Sequence, residues 1–289
     1  MNSLGRIATA VCLVALSARA ASALEDDFGA ALSASWAEPN TPQAGSSVAS
    51  ASADAAGVDG AVLKLVYPGR TSSSISGPGW ATQLQSAASQ AFGVYQARMR
   101  VAGAGKSQGV VSAFFTYFND GIDHDGDGIV DNNEIDLEFL AAERSAIYLS
   151  VWTEYQDDAN GEVFRKTTRK VDLKTGRVWQ TPAGGEGTYD LEEIAPLGWK
   201  MRRFDPRQFY YSYRFDWQPT QVTFSVDVQD GLGFRTLWTL DGAPDDVIPS
   251  HAAPAFFNLW HNAYHWNRDK AARSPARPVN FSIDRVTLP

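Results

Sequence analysis

Short stretches in which hydrophobic and polar residues alternate recur along most of the chain. They are rich in β-branched and aromatic residues, and turn-forming residues separate them. Alternation with a period of two gives a strand one apolar and one polar face. The pattern predicts strands at 62–67, 94–101, 110–117, 147–153, 209–216, 221–228, 255–260 and 281–288. We find no long stretch with helical periodicity and no internal repeat, so the sequence predicts one all-β domain, an antiparallel sandwich or barrel.

Two segments interrupt this regularity. Residues 40–60 are rich in Ala, Ser, Gly and Pro, and we expect a surface connection there. Residues 156–208 mix charged residues with Gly and Pro. We expect long decorations with some strand content in this second segment.

The first 23 residues have the pattern of an export signal. Arg6 precedes an apolar stretch at 7–16, and Ala21-Ser22-Ala23 provides small residues for cleavage. The stretch is too short to span a bilayer, and no later run approaches about 20 apolar residues. We therefore expect a single mature domain over 24–289 that is secreted or periplasmic. The only cysteine, Cys12, lies in the signal, so this domain would contain neither a disulfide nor a catalytic thiol.

Composition narrows the possible partners. With 44% hydrophobic and 12% aromatic residues, the 289-residue chain can form a large core, which excludes a disordered protein. The 25 basic and 33 acidic residues give a net charge of −8, which disfavours a phosphate-binding surface. We expect a monomer that binds neither nucleic acid nor a membrane.

The segment Glu134-Ile135-Asp136-Leu137-Glu138 concentrates carboxylates. In a strand, its three acids project from one side while Ile135 and Leu137 enter the core. Mutual repulsion raises pKa values and keeps a proton available, as cleavage of a glycosidic bond requires. Retaining glycosidases hold two carboxyls about 5–5.5 Å apart, whereas the Cα atoms of Glu134 and Glu138 lie about 13 Å apart in a straight strand. Long side chains and sheet curvature must close this gap, and a solvated charged strand is the alternative.

A second motif overlaps the first. It fits the twelve-residue calcium loop, which has oxygen ligands at positions 1, 3, 5, 7, 9 and 12 and glycine at position 6. The matching residues are Asp123, Asp125, Asp127, Gly128, Ile129, Asp131 and Glu134. Ca²⁺ suits crowded carboxylates because it is a hard cation. The alternatives are an exposed acidic loop and a helix–loop–helix calcium sensor, although the flanking residues are β-branched and aromatic rather than amphipathic.

The two motifs compete for Glu134, because a carboxylate clamped on Ca²⁺ cannot be a free nucleophile. We assign Asp123, Asp125, Asp127, the Ile129 carbonyl and Asp131 to Ca²⁺, and we expect Glu134 to face the substrate. No organic cofactor is expected. His251, His261 and His265 lack metal-binding spacing, and His124 falls at a loop position that supplies no ligand.

Several segments together resemble the family 16 glycoside hydrolases, especially bacterial lichenases (endo-β-1,3-1,4-glucanases). The matching segments occur in the same order as in the family and span residues 26–288. They are the Glu-x-Asp-x-Glu strand, the segments 92–100 and 109–117, Phe215-Asp216-Trp217 and Asn258-Leu259-Trp260. It implies a two-sheet antiparallel jelly roll (concanavalin A-like) with a concave, sugar-binding face. Matching positions imply that Glu134 is the nucleophile, Glu138 the acid/base and Asp136 the residue that orients the nucleophile. They also imply that the strand has no bulge between the two Glu residues.

The resemblance also implies contacts to sugar and a second metal site. Trp152, Asn258, Trp260, Tyr95 and Gln83 are the substrate-binding candidates, since indole rings stack on the apolar faces of sugars. Gln83 and Gln85 replace a Glu and an Arg of lichenases, while Ser150 and Trp152 replace an Asn and a Tyr, which puts linkage specificity in doubt. A structural calcium on the convex side would correspond to Asp284 and the Gly60 carbonyl.

The sequence therefore predicts a secreted, retaining endo-glycosidase that cleaves a β-linked polysaccharide, with a β-1,3-1,4- or β-1,3-glucan favoured. A transglycosylase would use the same chemistry with a sugar hydroxyl in place of water. A calcium-dependent, non-catalytic carbohydrate-binding jelly roll is a further alternative.

Overall fold

The computed structural model describes residues 23–39, 46–69, 80–105, 108–158, 161–182, 189–261 and 274–289. Nearly all of the expected signal peptide therefore lies outside the described residues. The described parts contain strands and no helix, and hence no helix that could cross a membrane. This confirms the all-β prediction.

Strands form where apolar side chains alternate with polar ones, and each of the eight predicted ranges overlaps a strand. The strands are β1 (Leu24–Asp26), β2 (Trp36–Ala37), β3 (Ser47–Ala53), β4 (Ala61–Tyr67), β5 (Trp80–Gln90), β6 (Gly93–Arg100), β7 (Val110–Phe118), β8 (Asp131–Leu140), β9 (Ala146–Asp158), β10 (Gly161–Asp172), β11 (Val178–Gln180), β12 (Glu192–Ile194), β13 (Tyr211–Gln218), β14 (Gln221–Asp227), β15 (Arg235–Asp241), β16 (Ala253–His261) and β17 (Val279–Leu288).

The strands form two antiparallel sheets. One has the order β15-β14-β13-β6-β17-β4-β3, with β1 also paired to β17. The other has the order β12-β11-β10-β9-β8-β7-β16-β5-β2. In both sheets, strands distant in sequence are neighbours, which is characteristic of a jelly-roll sandwich.

The core lies between the two sheets and is largely aromatic. Phe114 of β7 faces Phe215 of β13 across the sandwich, with ring centroids 5.4 Å apart. Phe114 also stacks on Phe257 of the neighbouring strand β16 at 4.8 Å. Burial of such rings is the main stabilising contribution in a domain of this kind, because each removes a large apolar area from water.

The segment predicted as decorations is in part an extension of the nine-stranded sheet. Strand β10 pairs with β9 over its whole length, and β11 and β12 continue the sheet outward. Strand β3 in turn lies within the segment expected to be only a surface connection. The dominance of Ala and Ser concealed β3, because its side chains carry little hydrophobic contrast.

Candidate active site

The three carboxylates of β8 lie on the face of the nine-stranded sheet that points away from the core. Ile135 and Leu137 are fully buried between the sheets, whereas Glu134 and Glu138 are only partly buried. Strand β8 pairs with both neighbours without a shift from Glu134 to Glu138, and its irregularity lies just before Glu134. The strand is therefore unbulged between the two Glu residues, as expected, and its alternation presents all three acids to one side.

Neighbouring strands place two predicted sugar-binding residues level with Glu138. Glu138 is paired with Ala113 of β7, Ala113 with Asn258 of β16, and Asn258 with Gln83 of β5. Asn258 is almost fully buried, and its Oδ1 has no hydrogen-bond partner among the described residues. A buried carbonyl oxygen without a donor suits a ligand hydroxyl, because an unsatisfied acceptor is costly in the free protein. Trp260 lies two residues further along β16, on the same face.

Trp152 of β9 lies directly beside Glu134 in the sheet. Its indole Nε1 donates a hydrogen bond of 3.0 Å to Oδ2 of Asp136. Asn132 donates from Nδ2 to Oε2 of Glu134 at 3.1 Å. These two donors restrain the Asp136 and Glu134 carboxyls, and neither of them bonds to Glu138.

Lys166 of β10 lies next to the three acids. The sequence did not predict this residue as part of the site. It is paired with Trp152, and its Nζ lies 4.0 Å from the centre of the Trp152 ring. Burial lowers the pKa of Lys166, while the charges of Asp136, Glu138 and Glu134 oppose this shift. Lys166 lies in a segment of mixed charge, and only the pairing of β9 with β10 brings it to the carboxylates.

The pKa values of all three acids are raised. Burial is the main cause for each. Burial and the charge of Asp136 raise the pKa of Glu138 to about 8, although Lys166 pulls it down. Burial raises the pKa of Asp136 to about 6 against the opposing effect of Lys166. Burial, followed by the charge of Asp136, raises the pKa of Glu134 well above its usual range. The group therefore retains protons near neutral pH, and Lys166 compensates only part of its negative charge.

Tyr95 does not belong to this face, which corrects its assignment to substrate binding. It lies on β6 of the other sheet, is fully buried and stacks on Phe215 at 4.8 Å. Its hydroxyl donates to the backbone carbonyl of Gln90 at 2.8 Å. The alternation of β6 turns Tyr95, Ala97 and Met99 into the core together.

The loop that precedes β8 gathers three of the predicted calcium ligands. One carboxylate oxygen from each of Asp123, Asp125 and Asp127 lies within 4.8 Å of the others. Asp123 accepts backbone N–H groups from Gly126 at 2.6 Å and Gly128 at 2.8 Å. Gly128 has a φ of +100°, so glycine at the sixth position allows the turn that wraps the loop around Asp123.

Asp131 does not join these three residues, which corrects its assignment to the calcium ligands. It is buried at the start of β8, with Oδ2 3.0 Å from Nε2 of His251. Its Oδ1 accepts the backbone N–H of His124. Glu134 is likewise outside the loop cluster, since it lies with Asp136 on the outer face of the sheet.

The residues proposed for the convex calcium site do not fit a cation. The buried Asp284 is already paired with Arg98, whose Nη1 lies 2.7 Å from Oδ2. Its Oδ1 accepts the backbone N–H of Val58 at 2.8 Å. The Gly60 carbonyl accepts the backbone N–H of Asp54 at 2.9 Å. Arg98 therefore supplies the positive charge that calcium would bring.

Comparisons of sequence and of structure both match this chain to β-glucanases. The chain is 27% identical over 172 residues to a β-glucanase of Bacillus subtilis (strain 168), a match that covers 59% of this chain and 47% of the relative. The chain thus spans about half the length of the curated relatives it matches. The structure of a Bacillus licheniformis β-glucanase superposes with a TM-score of 0.55 at 18% identity, covering 93% of this chain and 99% of that one. The Crh5 transglycosylase superposes with a TM-score of 0.55 at 16% identity, covering 93% and 84%.

At this level of identity the superpositions establish the shared fold, and the family follows from the sequence profile. The family model described as "Glycosyl hydrolases family 16" matches residues 72–277. This range is well over half of the chain and includes all of β8. The resemblance seen in the sequence is confirmed: the chain belongs to family 16 of the glycosyl hydrolases.

Proposed function

We propose that this protein is a retaining endo-glycosidase that cleaves a β-linked glucan by double displacement. The observation that carries the proposal is the triple carboxylate face of β8, in which Glu138 has a pKa of about 8 beside two further acids. An acid that stays protonated at neutral pH, next to a carboxylate that can attack, is the pair that this chemistry requires.

In the first step, Glu134 attacks the anomeric carbon while Glu138 donates its proton to the departing glycosidic oxygen. The product is a glycosyl ester on Glu134 and a free sugar end. In the second step, the ionised Glu138 takes a proton from water, the water oxygen bonds to the anomeric carbon, and the ester bond to Glu134 breaks. Glu138 is then protonated again, so the cycle closes.

Asp136 has the role of keeping Glu134 ionised and oriented. Its Oδ2 already accepts the N–H of Trp152, which leaves Oδ1 available to hold a proton. When Asp136 keeps that proton and its O–H donates a hydrogen bond to Glu134, the nucleophile is negative without two adjacent charges. Burial acts against this ionised form by raising the pKa of Glu134. Asn132 provides a second donor to Glu134 and fixes its other oxygen.

The glucan preference rests on relatives whose names describe β-glucanases. The outer face adds two indoles, Trp152 and Trp260, which suit the apolar faces of sugar rings. Gln83 and Asn258 supply neutral donors and acceptors level with Glu138. A β-1,3-1,4- or β-1,3-glucan is the substrate we propose, and a sugar acceptor in place of water would give transglycosylation.

The direct test is release of reducing ends from a panel of mixed-linkage glucan, β-1,3-glucan, agar and carrageenan. We expect activity on one or both glucans, and loss of that activity in Glu134→Gln with polysaccharide binding retained. Glu193→Gln, an exposed change on β12, is the matched control and should remain active. Binding by the wild type without any cleavage would support the non-catalytic alternative instead.

We further propose that the loop at 123–129 binds Ca²⁺ as a structural ion. Asp123, Asp125 and Asp127 would supply carboxylate oxygens, and Ile129 its carbonyl. The clustering of the three carboxylates and the turn at Gly128 support this assignment. Arg165 already compensates part of the local charge, with Nη2 2.9 Å from Oδ2 of Asp127. We assign the ion no chemical step, since Glu134 is turned to the substrate face.

We also propose that the protein is exported and acts as a monomer. The pattern of residues 1–23, with an expected mature start at Leu24, supports export. N-terminal sequencing of the exported protein and its mass in solution test both statements.

A further inference from the structure

We infer that His124, Asp131 and His251 form a binding site for a divalent transition metal of the zinc class, distinct from both the acidic loop and the carboxylates of β8. One ligand atom from each of the three side chains lies within 4.8 Å of the other two. The fold thus brings together His124 and His251, for which the sequence spacing predicted no role as metal ligands. Two imidazoles and one carboxylate are donors that zinc and related ions prefer, whereas calcium prefers oxygen alone. This inference does not depend on the proposed glycosidase activity.

Two of the three ligands are held in place before any metal binds. Asp131 is buried at the start of β8. The backbone of His251 is fixed to the same strand, because Oδ1 of Asn133 accepts the N–H groups of Ser250 at 2.7 Å and His251 at 2.9 Å. The Phe118 ring stacks on the His251 ring at 5.2 Å and provides an apolar wall. A prearranged pair of ligands reduces the ordering that binding requires.

The third ligand is exposed on a loop and is backed by a carboxylate. His124 is exposed on the loop, and its ring centroid lies 4.6 Å from that of His251. Its Nε2 lies 3.0 Å from Oδ2 of Asp120. A carboxylate behind an imidazole fixes the tautomer of a metal ligand, so a proton on Nε2 leaves the lone pair of Nδ1 for the metal.

The distances are compatible with a tetrahedral ion. Ligand atoms about 2.0–2.1 Å from zinc lie about 3.3 Å from each other. Nε2 of His251 and Oδ2 of Asp131 are already 3.0 Å apart. The widest pair has to close by at most about 1.5 Å to reach that tetrahedral spacing, which the exposed loop of His124 permits. Water would take the fourth position.

Bound metal would join three separate segments: the loop before β8, the first residue of β8, and the segment before β16. Asn132 follows Asp131 directly and donates to Glu134, so the same metal would also restrain the end of the strand next to the proposed nucleophile. Its expected effects are a higher melting temperature and tighter positioning of Glu134.

The test is calorimetric titration of ZnCl₂ into the protein in saturating calcium, with the melting temperature recorded in parallel. We expect one zinc per chain and a rise in melting temperature. His124→Ala and His251→Ala should each weaken zinc binding by more than about tenfold, and Asp120→Asn by about tenfold. Asp125→Asn, in the acidic loop, should leave zinc affinity unchanged.

His124 is exposed, so His124→Ala is expected to fold, and its circular dichroism checks this. As a second signal, Co²⁺ bound to the wild type should give visible absorption bands that His124→Ala loses. Absence of zinc binding in the wild type would overturn the inference. So would unchanged zinc affinity in folded His124→Ala, because the metal would then lie elsewhere.

Discussion

The ammonium of Lys166 lies over the indole of Trp152, 4.0 Å from the ring centre, and that same indole donates to Asp136. The two residues are directly paired across β9 and β10, so the cation is held next to the three acids by the sheet itself. Lys166 thereby lowers the pKa values of Asp136 and Glu138, which burial raises.

The first prediction concerns the pH dependence of Lys166→Met. In the proposed mechanism, Glu138 must be protonated, so kcat/KM should fall as pH rises through its pKa of about 8. Removing the ammonium removes an effect that lowers this pKa, so the alkaline limb should move to higher pH by roughly one unit. The pH profile of kcat/KM measures the shift.

Lys170→Met is the matched control for this experiment. Lys170 lies on the same strand and is ion-paired with Glu143. Of these two lysines, only Lys166 lowers the pKa of Glu138. Its substitution should leave the alkaline limb in place. A Lys166→Met profile that is unmoved, or moved to lower pH, would show that Lys166 does not tune the acid.

The second prediction separates the two roles assigned to the Glu residues. Glu138→Ala should block cleavage of native glucan but retain the first step on an aryl glycoside, since a good leaving group needs no proton. Added azide should then accelerate release of the glycosyl group and give a glycosyl azide of retained configuration. If Glu134→Gln and Glu138→Ala behave alike on both substrates, the division of roles is wrong.

The third prediction concerns calcium. Chelation should lower the melting temperature, because binding only to the folded state stabilises it by about 2.7 kcal/mol at a hundredfold excess over Kd. The double change Asp125→Asn and Asp127→Asn should reproduce the effect of the chelator, whereas Asp59→Asn, a distant exposed change, should not. Inhibition of the enzyme in proportion to calcium occupancy would instead place Glu134 among the ligands.

The fourth prediction follows from the position of Tyr95 in the core. Tyr95→Phe removes the hydrogen bond to Gln90 and should lower the free energy of unfolding by about 1 kcal/mol. KM for glucan should not change, because the side chain is far from the carboxylate face. A raised KM at unchanged stability would return Tyr95 to the substrate-binding residues.

The sequence predicted correctly those features that depend on the residues of one strand alone. Alternation alone places Glu134, Asp136 and Glu138 on one face and Ile135 and Leu137 on the other, since the rule is local. Resemblance then identified Gln83 and Asn258, which strand pairing brings level with Glu138.

What the sequence could not provide depends on contacts between distant parts of the chain. Asp131 and His251 are 120 residues apart and meet only through the packing of the segment before β16 on β8. Lys166 reaches the acids only because β10 extends the same sheet. For Tyr95, alternation predicted that β6 has one buried and one exposed side. It did not predict which sheet β6 joins or which face of that sheet would contact the substrate.

The most direct test of the proposed double displacement is to trap the glycosyl ester. An activated aryl 2-deoxy-2-fluoro glycoside of a β-linked glucose disaccharide should react once, because fluorine slows the second step and the ester accumulates. Mass spectrometry of the digested protein should locate the added sugar on Glu134, with no label in Glu134→Gln and normal labelling in Glu193→Gln. A label on Glu138 or Asp136, or rapid turnover with inversion and no labelled peptide, would contradict the double displacement proposed for this site.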